Sequence, residues 1–529
     1  MTRRSRSLPA VAVALAAVLV LGACGGGSGH SGGGSGDELR IAMPLGDVAS
    51  LDPAHTLSDA MAVLLPLYGQ TLVEADAKQP TKILPGLASS WTKDSPTRYT
   101  FVLRDGVKFS SGNTMTAEDV QFSFDRIKNV AGPTAFKADG IKTITAVDPH
   151  TVRFDLDAPD STFIAKLATP YLAVLDSKTL ASNGGVADAT ASKADKAQAF
   201  LDAHSVGTGP YVLDKWSRNQ QISLKANPTY WGEKPKFKKV VLVDVRDAAT
   251  QRQLLEGGDV DVAMSIDPDT ADSLKGASGI TITRTPAYNV IYLAMNNAHP
   301  DAPELGNVLV RRAIQRAIDY DGISKLAGGA DRPAAAVPLG FQGSAAVPPV
   351  QRNVAEAKAL LAKAGVKHLS LDITFANQVL YGVSLSTLWE KLKSDLAEVG
   401  ITLTLKPVEY ENWVGAFRAA KLTMTTGLWA PDHIDAGGHF DVFARTDGTV
   451  GKRVHLNLGD NGRGYASYLA APNDAAKERI ATQLITTMRD DASLFALVQP
   501  KVILAFSDRL SGVEFHPIKQ LDVAAISPK

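Results

Sequence analysis

The chain has 529 residues, 45% of them apolar, and its 55 basic residues balance its 55 acidic ones. Single cores stop growing near ~250–300 residues, so this length predicts two or three folded bodies. The cancelled charge, with no clustered lysine and arginine stripe, excludes the electrostatic footprint of a nucleic-acid binder and leaves small molecules, peptides or proteins as partners.

At the start of the chain Arg3, Arg4 and Arg6 precede an uncharged run over residues 7–23. That run is too short and too rich in small residues for a membrane span of ~20 strongly apolar residues, so residues 1–23 read as an export signal. The only cysteine, Cys24, closes the sequence Leu21-Gly22-Ala23-Cys24. This resembles the bacterial lipobox, in which the cysteine becomes the lipidated first residue of the mature protein. A lone cysteine there predicts an anchor rather than a disulfide. The Gly/Ser composition that follows makes residues 24–36 a lipidated cysteine and flexible tether. The folded chain is then expected on the outer face of the cytoplasmic membrane, with no further membrane segment.

Residues 39–43 read as a short apolar strand and 51–53 as a turn. A second strand is predicted at 99–103, before a turn at Arg104-Asp105-Gly106. Thr116 and Asp119 form a capping pattern ahead of Val120, Phe124 and Ile127, which share one helical face. Asn353 and Glu356 open a further helix whose Ala357, Leu360, Leu361 and Ala364 face one way before Gly365. The same pattern recurs with Trp389, Leu392, Leu396 and Val399, stopped by Gly400. Ile401, Leu403 and Leu405 then alternate as a strand with one buried face. Helices that repeatedly feed strands predict α/β layers.

Ser90-Trp91-Thr92-Lys93 matches the S-x-x-K of acyl-serine enzymes in form, but neither S-D-N nor K-T-G occurs in the chain. G-x-x-x-x-G-K-[ST], H-E-x-x-H and G-x-S-x-G are absent too, so no catalytic residue is expected. The densest polar stretch is 427–443, where Asp432, His433, Asp435, His439 and Asp441 follow Trp429 and surround Gly437-Gly438. Unpaired buried charges cost several kcal/mol each, roughly, so such a run is a solvated loop or a site where a ligand supplies partners. Imidazole and carboxylate suit Zn, Ni or Mn, but H-x5-H puts the two rings on different faces of a helix. Metal, solvated loop and organic ligand all remain open on the residues alone.

Several further runs occur in a fixed order. They are L-P-G-L-A-S-S-W, L-R-D-G-V-K-F-S-S-G and T-A-E-D-V-Q-F-S-F-D-R-I within 84–127, G-T-G-P-Y at 207–211 and N-P-T-Y-W-G-E-K-P at 227–235. L-L-E-G-G-D-V-D at 254–261, Y-L-A-M-N at 292–296, V-R-R-A-I-Q-R-A-I-D at 310–319 and D-L-A-E-V-G-I at 395–401 follow. Together they resemble the family 5 extracellular solute-binding proteins, the dipeptide, oligopeptide and nickel receptors of bacterial ABC importers, here in lipoprotein form. The resemblance implies an α/β, two-lobed periplasmic-binding-protein-like fold with a ligand cleft between lobes. Lobe I would span 37–285, with an inserted subdomain over about 56–204, and lobe II 286–498. Residues 499–529 would return to lobe I, with crossings near Thr285 and Gln499-Pro500.

The function so implied is capture of oligopeptides for delivery to an ABC permease and its ATPase subunits, by a non-enzymatic monomer without cofactor or metal. A binding protein for a nickel chelate, a sugar or another small metabolite is the alternative, and a lipid-anchored hydrolase a more distant one. In the family the segment equivalent to 427–443 walls the cleft, and its first aspartate, here Asp432, receives a ligand ammonium beside Trp429. His433 stands where the family has tyrosine, and Asp435-Ala436 where it has Asp-Pro. Dipeptide-specific members carry an arginine for the ligand carboxylate, but 375–382 reads F-A-N-Q-V-L-Y-G. A short peptide's carboxylate would be unpaired there, which favours longer peptides. Trp413, Tyr288 and Asn289 complete the expected ligand contacts, the last two at the lobe crossing.

Overall fold

The computed structural model describes residues 36–459 and 461–529. The export segment 1–23, Cys24 and the tether up to residue 35 lie outside the described residues.

The first strand, Glu38–Met43, is built by alternation. Leu39, Ile41 and Met43 enter one core with Leu224, Leu242 and Leu504, whereas Ala42 faces a smaller core with Leu255 and Ile503. It lies inside a seven-stranded mixed sheet. The order is Ile280–Pro286, Lys501–Ser507, Val262–Ala263, Glu38–Met43, Lys239–Asp244, Gln221–Ala226 and Tyr211–Ser217. The first strand runs parallel to Lys239–Asp244 and Val262–Ala263, and the remaining pairs are antiparallel. Strands from both ends of the chain therefore share one sheet, and we refer to it as the first body.

Residues between the first strand and Tyr211 supply an inserted body. Four antiparallel strands, ordered Ala88–Ser95, Arg98–Leu103, Thr151–Leu156 and Ile141–Asp148, are covered by the helix Ala117–Val130. Its capping box is the one read from Thr116 and Asp119, and Val120, Phe124 and Ile127 are buried as the spacing predicts. Phe154 gathers Phe101, Phe124 and Phe163 at centroid distances of 5.5, 5.2 and 5.5 Å. The helix Asp59–Tyr68, expected inside the insertion, packs Ala60, Leu64 and Tyr68 into the first core instead. Eight of its ten residues are buried, so it serves as a floor rather than an edge.

The second body holds residues 290–498. Val290–Met295, buried at all six positions, is flanked antiparallel by Met424–Trp429 and Leu494–Val498. A parallel pair, Leu369–Ala376 and Ile401–Val408, is joined by the helix Leu385–Ala397, whose Trp389, Leu392 and Leu396 are buried. Two short connections, residues 287–289 and 499–500, link the bodies, and Gln499 pins them together. Its side-chain amide donates to the Ala287 carbonyl (2.6 Å) and its carbonyl accepts from the Leu339 amide (2.7 Å). Its backbone exchanges two bonds with Asp331.

Arg126 ties the insertion to the first body from a fully buried position. Its guanidinium meets Asp52 at 2.8 and 2.6 Å and Asp195 at 2.7 and 2.9 Å. Burial alone would raise the Asp52 carboxyl, but the bonds from Arg126 and His55 outweigh it and hold the group well below the usual carboxylate range. Asp52→Ala should therefore destabilise the protein by about 3–5 kcal/mol, the cost of breaking a buried ion pair from one side. Urea unfolding followed by tryptophan fluorescence measures this. Because the folded value is depressed, the contribution of Asp52 is present above the unfolded carboxyl value of about 3.9 and is lost as pH falls below it.

Candidate functional site

The polar stretch 427–443 lies where the three bodies meet. Its strand, Met424–Trp429, ends as Trp429 pairs with Val290, and the half-buried indole packs edge-on to Phe443 at 5.8 Å. Residues 430–432 then cross toward the inserted body. Asp435 caps the helix Ala436–Phe443, accepting from the Gly437 amide at 2.8 Å and the Tyr468 hydroxyl at 2.6 Å, and pairs with buried Lys477. Gly437 is required by close approach, since a Cβ there would stand 2.6 Å from the Thr162 methyl of the inserted body. The stretch is thus an ordered strand, crossing and helix, and the solvated-loop reading is corrected by the burial of Asp435, His433 and His439.

The two histidines face different surroundings. His439 is fully buried between Phe341 (5.4 Å) and Phe443 (6.2 Å), and burial lowers it to about 3. His433 is enclosed near Lys166, Lys137 and Lys477. Burial first, and then Lys166, hold it well below its ordinary value. Its Nε2 and both ring nitrogens of His439 have no hydrogen-bond partner. Among the described residues no three His, Cys, Asp or Glu side chains converge as a metal ion would need.

Asp432, the carboxylate expected to receive a ligand ammonium, is met by an ammonium of the chain itself. Lys137 Nζ of the inserted body lies 2.7 Å from its Oδ1 and 3.3 Å from its carbonyl. This pair closes one end of a cavity of about 260 Å³ between the bodies. Leu57, Ser58, Asp59 and Tyr171 wall it on one side, Asn289, Pro431 and Asp432 on the other. A second cavity, of about 240 Å³, adjoins it through Asp59 and Gln520 and is lined by Met43, Asp47, Ser265, Val502 and Tyr381. Each is small beside the ~300–1,000 Å³ of ordinary ligand pockets, but the two share a wall.

Of the remaining expected contacts, Asn289 reaches the first cavity and donates to the Tyr381 hydroxyl at 2.6 Å. Tyr288 packs at a tilt against Phe341 at 5.3 Å and lines neither cavity. Trp413 sits on the helix Tyr410–Arg418, buried, with its indole N–H donated to Thr425 (2.8 Å) and its ring on Phe417 (5.3 Å). It takes its place in the second core rather than in the cleft wall.

Sequence reading passed over Lys137, Asp47, Asp59 and Tyr381. Tyr381 was legible in part, because Tyr381-Gly382 turns the hairpin of Val379–Leu380 and Val383–Ser384 with φ of 51° and 78°. A side chain at Gly382 would collide with Pro268 of the first body, so the hairpin tip crosses the gap between bodies. Both aspartates are exposed, and partial desolvation by the surrounding protein raises each carboxyl. The Asp59 charge raises Asp47 further, against hydrogen bonds from its own amide, the Asp59 amide and the Ser58 hydroxyl.

The bacterial extracellular solute-binding proteins, family 5 Middle, match residues 82–450 of this chain. Over 496 residues, 91% of the chain and 92% of the relative, it is 29% identical to the probable D,D-dipeptide-binding periplasmic protein DdpA of Escherichia coli (strain K12). The structure is similar to HbpA2 from Haemophilus parasuis, with a TM-score of 0.81 over 93% of this chain and 100% of that one, at 22% identity. It is also similar to DppA from Helicobacter pylori in complex with the peptide STSA, with a TM-score of 0.73 over 93% and 98% at 22% identity. The fold is therefore a mixed α/β periplasmic-binding-protein fold.

The burial of His433 and His439 has a measurable consequence. NMR titration should show both rings staying neutral from pH 8 down to about 5, and unmoved by added nickel or zinc. Since both folded values lie below the unfolded ~6.5, the unfolded chain takes up protons that the folded one refuses. Stability should accordingly fall as pH drops below ~6.5. A ring that titrates near 6.5, or shifts with metal, would contradict this placement.

Proposed function

The chain belongs to the family 5 bacterial extracellular solute-binding proteins, and from that membership we propose that its cleft captures oligopeptides for delivery to an ABC permease. It is a substrate-binding protein of an ABC importer, extracellular or periplasmic, and not an enzyme. The peptide reading draws on the dipeptide-binding relative and, above all, on one feature of the cleft. Its two cavities are lined by Asp47, Asp59 and Asp432, and by a single base, Lys137, already paired. A ligand carboxylate would find no free cation there, which favours peptides long enough to carry that end into water.

In this reading the lobes are 37–285 and 286–498, with 499–529 returning to the first and the inserted core beginning beyond the helix Asp59–Tyr68. The clustering of buried side chains supports that division. A peptide laid between them stabilises the closed arrangement by its differential affinity for it, and extended backbone can be held by sequence-tolerant hydrogen bonds. Trp429 and Asn289 belong to one wall. Asp432 acts as a closing contact through Lys137. His433 supports that wall from behind. Lipidation at Cys24 would tether the receptor to the membrane, as the sequence Leu21-Gly22-Ala23-Cys24 and the basic start suggest.

Calorimetry with tetra- and pentapeptides should give binding, tighter than that of dipeptides. An ion pair as accessible as Lys137–Asp432, with Asp432 43% exposed, contributes about 0–1 kcal/mol. Lys137→Ala and Asp432→Ala should each weaken peptide binding by no more than about fivefold. A loss above about tenfold in Asp432→Ala alone would put Asp432 directly on the ligand. Binding of a nickel chelate or a sugar, with no peptide bound, would replace the peptide reading.

A further inference from the structure

At Ser161 the inserted body grips the second one. The Ser161 amide donates to the Leu469 carbonyl (2.8 Å) and its hydroxyl to the Tyr468 carbonyl (2.8 Å), while its own carbonyl accepts from Lys477 Nζ (3.0 Å). Tyr468 and Lys477 lie 307 and 316 positions along the chain. The turn that presents Ser161 is fixed from its own side, because Asp160 accepts from the Thr162 amide (2.8 Å) and hydroxyl (2.6 Å) and pairs with Lys166. On the other side Lys477 and Asp435 are buried and paired, so the ammonium is already aimed at the junction. Buried Thr162 stands so close to Gly437 that no side chain fits between them.

Two spaces separate this junction from the connections between the bodies. From Asn289 the cavity of about 260 Å³ runs to the Lys137–Asp432 pair. Past that pair a cavity of about 180 Å³ continues, lined by Phe136 and Lys166 of the inserted body and by His433, Gly438 and Tyr465 of the second. Lys166 is one helical turn from Thr162 and Gly438 adjoins Gly437, which puts the junction beyond this second space. A rotation about residues 287–289 and 499–500 that opens the cleft therefore has to part Ser161 from its three partners, one of them charged. Because Arg126 fixes the inserted body to the first, a hold on the inserted body is a hold on the whole first lobe. Ser161, Thr162, Gly437, Tyr468, Leu469 and Lys477 line neither the 260 Å³ cavity nor the 240 Å³ one.

We propose that this junction is a latch, through which the inserted body holds the cleft closed without touching the ligand. Apparent affinity scales with the fraction of molecules in the binding-competent arrangement. The latch therefore sets how tightly every ligand is held and leaves the choice among ligands to the cleft wall, whatever the ligand's chemistry. His433 reports on it. The ring is enclosed by Lys137, Lys166 and Asp160 of the inserted body and by Lys477 of the second, so parting the junction opens it to water.

Gly437→Ala tests this as a wedge, since its Cβ would stand 2.6 Å from the Thr162 methyl across the junction. Thr162→Ser removes that methyl and keeps the hydroxyl bond to Asp160, so Gly437→Ala/Thr162→Ser should restore the contact. Wild type and both variants are compared as the full mature chain, with thermal melting to check folding. Without ligand, hydrogen exchange at the Ser161 amide, read by fragmentation mass spectrometry, should be at least about tenfold slower in wild type than in an unstructured chain. That protection should be lost in Gly437→Ala and regained in the double variant. The His433 ring, followed by NMR, should titrate toward ~6.5 in Gly437→Ala and stay neutral to about pH 5 in the other two. In calorimetry, tetra-alanine and tetralysine should both weaken at least about threefold in Gly437→Ala, by factors equal within about twofold, and recover in the double variant. Ser161→Ala, which leaves the helix Ala436–Phe443 untouched, should cost both peptides about two- to fivefold and decides the matter if Gly437→Ala does not fold. An unprotected Ser161 amide in wild type would overturn the latch. So would a Gly437→Ala defect that Thr162→Ser does not relieve, or losses that differ between the two peptides. Exchange and titration need no ligand, so failure of every peptide to bind removes the peptide reading and leaves those two readouts to decide the latch.

Discussion

A carboxylate taken out of water needs a positive charge or a set of hydrogen-bond donors, and this requirement organises the molecule at every level. Arg126 holds Asp52, from the turn after the first strand, against Asp195, from the end of the insertion, and so fixes the inserted body to the first. Asp435 is held by Lys477 and Tyr468, and Lys477 also donates to the Ser161 carbonyl at 3.0 Å. The amide and hydroxyl of Ser161 in turn donate to the carbonyls of Leu469 and Tyr468. The acids that build the fold are answered from within it, by cations as at Asp52 and Asp435 or by hydroxyl and amide donors as at Asp176.

Closure follows from the same bookkeeping. The two crossings of the chain are tied by Gln499, which is fully buried and bonded to Ala287, Leu339 and Asp331. Across the gap the accessible Lys137–Asp432 pair is too weak to decide the equilibrium alone. A ligand that contacts both bodies at once supplies a larger difference between open and closed states, which is what a receptor recognised in its closed form requires.

Much of the fold was legible in the chain, because local rules and tertiary context agreed there. The capping box at Thr116, the Asn353 cap and the Trp389–Leu396 face all appear where their spacing puts them. The cleft was less legible, for a physical reason. Residues 427–443 stand out in the sequence reading as a stretch expected to wall a cleft, but their partners come from far away. Lys137 is 295 positions from Asp432, and no local pattern announces the pairing. The histidines looked like ligands because periodicity cannot tell an aromatic-lined interior from a cleft. Trp413 looked like a cleft aromatic for the same reason, until Thr425 took its N–H.

The central claim is that this cleft captures oligopeptides. Native mass spectrometry of the protein purified from its own host, without denaturation, tests it most directly, followed by amine labelling of the material released. The account predicts a distribution of peptide masses, each of which gains a label at a free amino group. A single bound species containing a metal or a sugar would contradict it.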